Sequence, residues 1–284
     1  MRRGLVIATD LDGTLASGDP ERRALLLQLL QAVPATRLVY ATGRTVDSAR
    51  TLIVRRSLPE PELLIADVGA TVVHGCGHRH VSEVERGIQS VSWPGVAAVG
   101  ERLAGIAELE AQRIRTTRRA SYWITPTRLL RQAAAKDLFG ASALDDDSLS
   151  AAAGGTAAFF ARRAAHALRD LPADVLMSAN IYLDVLPRGV NKGTTLMRVL
   201  RFLGCDIDAC IVAGDSINDH AMFTTGARGI VVANSEPALR AVLGVRPNVY
   251  RARESGAGGI LEGLQHFGVL PHGGVSSEGR RPAV

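Results

Sequence analysis

The feature that most constrains this 284-residue chain is a set of short apolar runs near both of its ends, each closed by Asp, Thr or Gly. They cover residues 5–8, 37–41, 63–66, 209–213 and 229–232, the last of which is closed instead by Ala233 and Asn234. Runs of this length predict strands that are buried on both faces of a parallel sheet. Helical spacing of leucines follows the first of them, so the two ends together predict one α/β domain with a Rossmann-like, doubly wound parallel sheet.

The middle of the chain lacks the regular alternation of apolar strands and helices. Helices are predicted over residues 94–109, 127–139 and 156–171, and extended segments over 121–125 and 181–186. Short extended segments among helices, without strict alternation, indicate an α+β unit rather than more of the parallel sheet. We therefore expect an α+β domain inserted into the doubly wound domain.

These patterns give three predicted units. A catalytic core is expected from residues 1–77 and 188–270, and the inserted domain from residues 78–187. The last segment, 271–284, is rich in Gly, Ser, Pro and Arg, a composition that predicts a disordered tail.

Composition excludes several classes of function. The formal net charge is +5, but the arginines are scattered in pairs and no aromatic-studded basic run accompanies them, so we expect no nucleic-acid partner. A basic surface instead favours attraction of an anionic, phosphorylated small molecule. The sequence leaves the oligomeric state open.

Location is also constrained by sequence. The apolar run after Met1 is too short for a signal peptide and ends at Asp10, and no stretch approaches the ~18 apolar residues of a membrane span. The three cysteines form neither a CxxC pair nor a disulfide framework, which is typical of reduced thiols. We expect a cytoplasmic protein with no membrane partner.

Two acidic clusters follow predicted strands. Asp10 and Asp12 lie in an Asp-Leu-Asp-Gly-Thr segment, and Asp215 and Asp219 lie in a Gly-Asp-Ser-Ile-Asn-Asp segment. Each could be only a capped turn or a helix start with acidic residues. At the carboxyl ends of strands in one open sheet, however, the clusters meet in one crevice. Carboxylate oxygens, with no Cys/His cluster that offers zinc an alternative, then predict a site for Mg²⁺.

Four motifs in order carry a family resemblance. They are Asp10-x-Asp12-Gly13-Thr14, Thr42-Gly43-Arg44, Lys192, and Gly214-Asp215-Ser216-x-Asn218-Asp219. On these residues the chain resembles a phosphatase of the haloacid dehalogenase (HAD) superfamily. The resemblance implies hydrolysis of a small phosphorylated metabolite through an aspartyl-phosphate intermediate.

The resemblance also implies roles for the catalytic residues. Asp10 would attack phosphorus, and Asp12 would protonate the leaving oxygen and then activate water. Thr42 would bind phosphoryl oxygens and Gly43 could add a backbone donor, while Lys192 would neutralise the phosphate and restrain Asp10.

The remaining motif residues belong to the metal site and the substrate. Asp215 would complete a Mg²⁺ site with Asp10 and the carbonyl oxygen of Asp12, and Asp219 and Asn218 would support that site. Arg44 and Asn218 are further candidates for binding the phosphorylated substrate.

The position of the insertion narrows the resemblance. The interval from Asp12 to Thr42 is too short for a cap domain and its connecting helix, whereas the interval from Thr42 to Lys192 can hold one. This arrangement resembles HAD phosphatases with a C2-type (IIB) cap. Several further stretches resemble sucrose-phosphatase-like sugar phosphatases, and they are Asp67-Val68-Gly69-Ala70, Trp93-Pro94-Gly95, Arg119-Ala120-Ser121-Tyr122-Trp123, Tyr182-Leu183-Asp184-Val185-Leu186-Pro187 and Gly258-Gly259-Ile260-Leu261-Glu262-Gly263.

The stretches that lie in the inserted domain suggest residues that bind the sugar. Arg119, Ser121 and Asp184 would contact sugar hydroxyls or ring oxygens, although Arg119 stands where that subgroup has Lys, which changes the donor geometry. Trp93 and Trp123 either pack in a core or stack on a sugar ring.

Two rival functions remain open at this point. A phosphosugar mutase of the phosphomannomutase kind shares the cap type and needs a groove for a second phosphate, for which the arginines at positions 113, 115, 118 and 119 are candidates. A non-catalytic HAD-fold binding protein is the other, against which the presence of both Asp10 and Asp12 argues.

Overall fold

The computed structural model describes residues 4–126 and 146–271, without the side chains of residues 146–154. The helix predicted over 127–139 and nearly all of the predicted tail lie outside the described residues.

Strands in the described residues number eleven. In chain order they are β1 (Val6–Thr9), β2 (Arg37–Ala41), β3 (Leu63–Ala66), β4 (Thr71–His74), β5 (Leu109–Ala111), β6 (Ala120–Ile124), β7 (Ala173–Ser178), β8 (Tyr182–Pro187), β9 (Cys210–Gly214), β10 (Arg228–Val231) and β11 (Val249–Arg251).

Nine α-helices connect these strands within the same described ranges. They are α1 (Pro20–Gln31), α2 (Val46–Arg55), α3 (Ser82–Gln89), α4 (Val96–Leu103), α5 (Asp146–Ala167), α6 (Lys192–Leu203), α7 (His220–Phe223), α8 (Pro237–Leu243) and α9 (Gly256–His266).

Seven strands form the first sheet, in the order β11-β10-β9-β1-β2-β3-β4. β1 lies at its centre, because Val6 pairs in parallel register with Arg37 on one side and with Cys210 on the other. Only β4 runs antiparallel, against β3. The predicted α/β fold with a doubly wound parallel sheet is confirmed.

Both faces of this sheet are covered, which explains the continuous apolar runs. Ile7 and its same-face neighbours pack against α1, α2 and α9, whereas Val6 and Ala8 pack on the other face against α3, α6, α7 and α8. Successive strand residues point to opposite faces, so a strand between two helical layers must be apolar at every position.

Four strands form the second sheet, which is antiparallel and ordered β5-β6-β8-β7. All four come from the predicted insertion. The predicted extended segments 121–125 and 181–186 correspond to β6 and β8. The helix predicted over 94–109 is too long, since α4 ends at Leu103 and Leu109 pairs with Ile124 in the sheet. Helix α3 and strands β5 and β7 were not predicted.

The second sheet has its own apolar core, in which Val99 and Leu103 of α4 and Phe160 of α5 pack against its strands. That this unit acts as a substrate-selecting cap stays a prediction. No helix in the described ranges is both long and apolar enough to cross a membrane.

Candidate active site

The carboxyl ends of β1, β2 and β9 bring three of the predicted motifs together. Asp10 follows β1 and is buried, and its backbone N–H donates to Ala213 O at 2.9 Å, extending the β1–β9 ladder. Gly13 turns the chain with φ +74°, and a Cβ there would lie 2.1 Å from Oδ2 of Asp215. Only glycine therefore lets this loop approach the Asp215 carboxylate.

Lys192 connects the acidic groups. Its Nζ is fully buried at the start of α6 and donates to Oδ1 of Asp10 at 2.8 Å, Oδ1 of Asn218 at 2.9 Å and Oδ1 of Asp219 at 2.6 Å. Burial alone would lower the pKa of Lys192, but the charges of Asp10 and Asp219 raise it above its ordinary value. The ammonium is therefore held charged, with all three donors in use.

Three carboxylates converge beside this ammonium. Asp10, Asp215 and Asp219 each offer an oxygen within 4.8 Å of the others. Burial, followed by the charge of Asp219, raises the pKa of Asp215 to about 7, and burial raises the pKa of Asp10 well above its ordinary value. Thr14 Oγ1 donates to Oδ1 of Asp215 at 2.6 Å and opposes that shift. Such a set of hard oxygen donors, with more negative charge than Lys192 balances, fits a divalent cation such as Mg²⁺.

Asp219 contributes to this group in a second way. Its Oδ2 accepts from the backbone N–H groups of Asp215 at 3.1 Å and Ser216 at 3.0 Å. Both of its oxygens thus have protein donors, and Asp219 fixes the loop that carries Asp215.

The carboxylate of Asp12 lies outside the group of three. It accepts from Arg44 in a bidentate pair, with Nε to Oδ2 at 2.6 Å and Nη2 to Oδ1 at 2.8 Å, and its side chain is 52% exposed. Nη1 of Arg44 donates to Ser48 Oγ at 2.7 Å. Of the four predicted metal residues, Asp12 is therefore the one whose carboxylate lies outside the group.

The loop after β2 holds the other predicted phosphate contacts. Thr42 is fully buried, and its Oγ1 accepts from the backbone N–H of Arg44 at 3.1 Å. Gly43, Arg44 and Thr45 line the cavity at this loop, and Thr42 does not.

Arg119, Ser121 and Asp184 lie together on the second sheet, where β6 and β8 place Ser121 opposite Asp184. All three are buried. Nε of Arg119 donates to Oδ1 of Asp184 at 2.8 Å, and its Nη1 reaches the carbonyl oxygen of Gly43 at 2.5 Å and Oδ1 of Asp67 at 3.4 Å. The predicted sugar-binding residues thus form an ion-pair network that spans the two sheets.

A cavity of about 520 Å³ separates the two sheets. The first-sheet side of its wall contains Asp10, Asp12, Gly13, Gly43, Arg44, Thr45, Ser48, Asp215, Ser216, Asn218 and Glu236. The second-sheet side contains Gln112, Ile114, Arg119, Trp123, Ser178, Ala179, Tyr182 and Asp184. One cavity therefore joins the core motifs to the cap stretches. Trp93 does not line it, and its Nε1 donates to Thr117 O at 2.9 Å.

Glu236 and Asp67 are site residues that sequence reasoning missed. Oε1 of Glu236 accepts from the backbone N–H of Ala179 at 2.9 Å, and Oε2 accepts from that of Ile217 at 3.0 Å. Glu236 precedes Pro237 at the start of α8, so the sequence signals a helix start and nothing about a bridge to the second sheet. Asp67 lies in a stretch that carried the resemblance, but only the fold places it beside Arg119.

Comparison with known proteins gives a family match. A family model described as sucrose-6F-phosphate phosphohydrolase matches residues 3–145 and 162–268. Mannosylfructose-phosphate phosphatase of Agrobacterium fabrum is 27% identical over 275 residues, which cover 94% of this chain and 98% of that protein. Glucosylglycerol-phosphate synthase of Pseudomonas anguilliseptica is 35% identical over 279 residues, which cover 98% of this chain. The chain spans 33% of the length of that synthase.

Solved structures agree with this match. The sucrose-phosphatase of Synechocystis sp. PCC6803, in complex with sucrose and phosphate, is similar with a TM-score of 0.73 and 25% identity over 94% of this chain and 98% of that one. A HAD subclass IIB sugar phosphatase gives a TM-score of 0.59 at 14% identity, over 94% of this chain and 100% of that one, and supports the fold alone.

Proposed function

The chain belongs to the sucrose-6F-phosphate phosphohydrolase family of HAD phosphatases, and from that membership we propose that it hydrolyses the phosphate ester of a phosphorylated glycoside. Sucrose-6F-phosphate, mannosylfructose-phosphate and glucosylglycerol-phosphate, named in the family and in its relatives, each join a hexosyl unit to fructose or glycerol. The third name belongs to a synthase, so it contributes only the class of compound.

One observation carries the proposal. The cavity has the Asp10–Lys192 pair at its first-sheet end, and its second-sheet end is lined by Gln112, Trp123 and Tyr182 together with the Arg119–Asp184 ion pair. A phosphate placed beside Asp10 would leave the organic part of the ester against the second sheet. This arrangement supports a cap that selects the leaving group while the core performs the chemistry.

The chemistry follows from how each core side chain is held. The hydrogen bond from Lys192 to Oδ1 of Asp10 holds the carboxylate in one orientation for nucleophilic attack, so that it does not rotate freely. Attack on phosphorus forms an aspartyl-phosphate as the bond from phosphorus to the leaving oxygen breaks. Asp12 gives that oxygen a proton and then takes one from the water that hydrolyses the intermediate. Both oxygens of Asp12 accept from Arg44 in this structure, so one of these hydrogen bonds must open before Asp12 carries and transfers a proton.

Magnesium is the cofactor that the donor set fits best. Asp10, Asp215 and Asp219, with the backbone carbonyl of Asp12, would hold it. When bound, Mg²⁺ neutralises phosphate and carboxylate charge. Lys192 would provide the remaining positive charge, and the Gly43 loop would provide backbone donors for the phosphoryl oxygens.

The mutase alternative lacks support in the described part of the cap. Arg118 donates from Nη2 to the carbonyl oxygens of Ile88 at 3.1 Å and Val91 at 2.5 Å, and Arg119 is occupied by the ion-pair network. Arg113 and Arg115 do not line the cavity. Apart from Arg119, therefore, no cation on the described second-sheet wall is positioned for a second phosphate.

A phosphate-release screen tests the proposal. We expect turnover of sucrose 6F-phosphate, mannosylfructose phosphate or glucosylglycerol phosphate in Mg²⁺, with a higher kcat/KM than for fructose 6-phosphate or glycerol phosphate. Adding a sugar bisphosphate should not be needed, whereas a mutase would require it. If no ester releases phosphate, the proposal is overturned and a non-catalytic HAD-fold binding protein is favoured.

A further inference from the structure

Strand pairing places one row of side chains on a single face of the second sheet. Trp123 pairs with Tyr182 and Ser121 with Asp184 between β6 and β8, and the backbone N–H of Gln112 donates to Ser121 O at 2.8 Å. Residues directly opposite each other in an antiparallel sheet, and those two apart on one strand, share a face. This face contributes most of the cavity wall opposite Asp10.

Gln112 differs from its neighbours on this wall in its hydrogen bonding. Its backbone is fixed on both sides, because its N–H donates to Ser121 O and its carbonyl oxygen accepts from the N–H of Ile114 at 3.0 Å. Its side-chain Nε2 is buried, and among the residues that the structure describes it has no hydrogen-bond partner. A buried donor without an acceptor costs free energy, which a ligand with an acceptor in the cavity would recover.

Trp123 and Tyr182 define the shape of the adjoining wall. Their ring centroids are 4.6 Å apart at an interplanar angle of 40°, and both rings line the cavity with Gln112. An aromatic wall beside a single amide donor suits a sugar ring, which has apolar C–H faces and oxygen acceptors at its edge.

Charge on this wall argues against an anionic ligand group there. Arg119 is paired with Asp184 and Asp67, and Glu236, on the first-sheet side of the cavity, adds a carboxylate that accepts from backbone donors. Gln112 therefore faces a cavity region whose ion pairs are internal to the protein. A neutral, hydroxylated group suits it better than a second phosphate.

We propose that Gln112 is a specificity-determining residue, which donates from its side-chain amide to an oxygen of the substrate's glycosyl unit beside the Trp123–Tyr182 wall. The inference rests on the proposed function, because it assigns a subsite to the unphosphorylated half of a phosphorylated glycoside. It predicts that this unit, not the phosphorylated one, is recognised through Gln112.

Kinetics of Gln112→Leu give the first test. The variant should lower kcat/KM for the preferred glycoside phosphate about 5- to 100-fold, the range for one lost buried hydrogen bond. The value for fructose 6-phosphate or glycerol phosphate, which lack the glycosyl unit, should stay within about twofold. Gln89→Leu, at an exposed position at the end of α3, should leave both unchanged. Equal losses on both substrates, or no loss on either, would overturn the proposal.

Gln112→Glu provides a second variant of nearly the same size, in case the leucine variant does not fold. It exchanges the amide donor for an acceptor, so it should lose as much discrimination as Gln112→Leu or more. Thermal unfolding of both variants verifies folding. Full discrimination in a folded Gln112→Glu protein would contradict the assigned hydrogen bond.

A binding assay separates this inference from the proposed function. The chain has two tryptophans, so Trp93→Phe leaves Trp123 as the sole reporter of the cavity wall. Its fluorescence is titrated with unphosphorylated sucrose and glucosylglycerol, with and without Gln112→Leu. Weaker binding of the glycoside to Gln112→Leu supports the subsite even if no phosphate ester is hydrolysed. Equal binding, or none to either protein, overturns it even if wild-type protein hydrolyses glycoside phosphates.

Discussion

Nη1 of Arg119, on the second sheet, donates a 2.5 Å hydrogen bond to the carbonyl oxygen of Gly43, in the loop that follows β2. The same guanidinium is paired with Asp184 of its own sheet and Asp67 of the first. The residue that sequence resemblance assigns to the sugar therefore has its donors on protein acceptors. Arg119 ties the second sheet to the loop expected to bind phosphate.

Substituting Arg119 should affect stability and all substrates alike. Arg119→Ala would leave two buried carboxylates without their cation and should lower the free energy of unfolding by about 3–5 kcal/mol. Because the Gly43 loop loses its support, kcat/KM should fall by similar factors for a glycoside phosphate and for para-nitrophenyl phosphate. Urea unfolding and paired kinetics measure both effects.

Arg113→Ala, at an exposed position on the same segment, is the matched control and should change neither quantity. Arg119→Lys keeps the charge but not the forked geometry, so it should recover part of the stability. A loss confined to the glycoside phosphate, at unchanged stability, would return Arg119 to the role of a sugar ligand.

The core of the fold and the placing of its motifs could be predicted because their signals are local. A strand buried on both faces is apolar along its buried length, so β1, β2, β3, β9 and β10 can be predicted from their apolar runs. The first polar residue after such a strand marks its carboxyl end. The convergence of Asp10 with Asp215 then follows from the topology of an open parallel sheet.

What could not be predicted depends on tertiary pairing. Strand β5 has three residues and one buried position, so its pattern is too short to separate from the end of α4. The bidentate pair of Arg44 with Asp12 and the Glu236 bridge to Ala179 join residues far apart in the chain. The lack of a partner for Gln112 Nε2 within the described residues depends on the cavity. Spacing along the sequence carries no signal for these contacts.

Asp10→Asn should separate activity from stability. A neutral amide cannot serve as the nucleophile, so kcat should fall about a thousandfold or more. Burial raises the pKa of Asp10 in the folded protein above its value in the unfolded chain. The folded protein therefore loses stability as pH rises above the unfolded pKa, because the ionised carboxylate is disfavoured in the folded state. In chelator at pH 8 the variant should therefore be at least as stable as the wild-type protein.

Urea unfolding of the two proteins at pH 5 and pH 8 measures this difference, which should be larger at pH 8. A variant that is markedly less stable at pH 8 would show that the ionised carboxylate is a net stabilising group. Retention of more than a few per cent of turnover would rule out Asp10 as the nucleophile.

Magnesium binding should weaken on acidification. Burial and the neighbouring Asp219 raise the pKa of Asp215 to about 7 in the metal-free protein, so protons compete with the metal below that pH. The Kd for Mg²⁺ should rise at least tenfold per pH unit below about pH 7, because the pKa of Asp10 is raised as well. Calorimetric titration at pH 6, 7 and 8, in buffers of different ionisation enthalpy, measures the affinity and the protons released.

Asp47→Asn, an exposed carboxylate on α2, is the control and should leave this pH dependence intact. Activity should vanish in excess chelator, return with Mg²⁺ and be inhibited by Ca²⁺, whose larger and looser coordination misplaces the carboxylates. Full activity in excess chelator, or an affinity for Mg²⁺ that does not vary between pH 6 and 8, would contradict the assigned site.

Lys192→Met should show whether the ammonium of Lys192 and the metal neutralise the same buried carboxylates. The substitution keeps an unbranched side chain but leaves Asp10 and Asp219 without their buried cation, which should cost about 3–5 kcal/mol of the free energy of unfolding in chelator. Because Mg²⁺ would neutralise the same carboxylates, the deficit should shrink when Mg²⁺ is added. Arg198→Met removes a cation of the same helix whose Nη1 donates to Thr194 O at 3.3 Å, and it should cost little in either condition. Urea unfolding of both variants with and without Mg²⁺ makes the comparison, and a Lys192→Met deficit that Mg²⁺ leaves unchanged would mean that the metal does not bind these carboxylates.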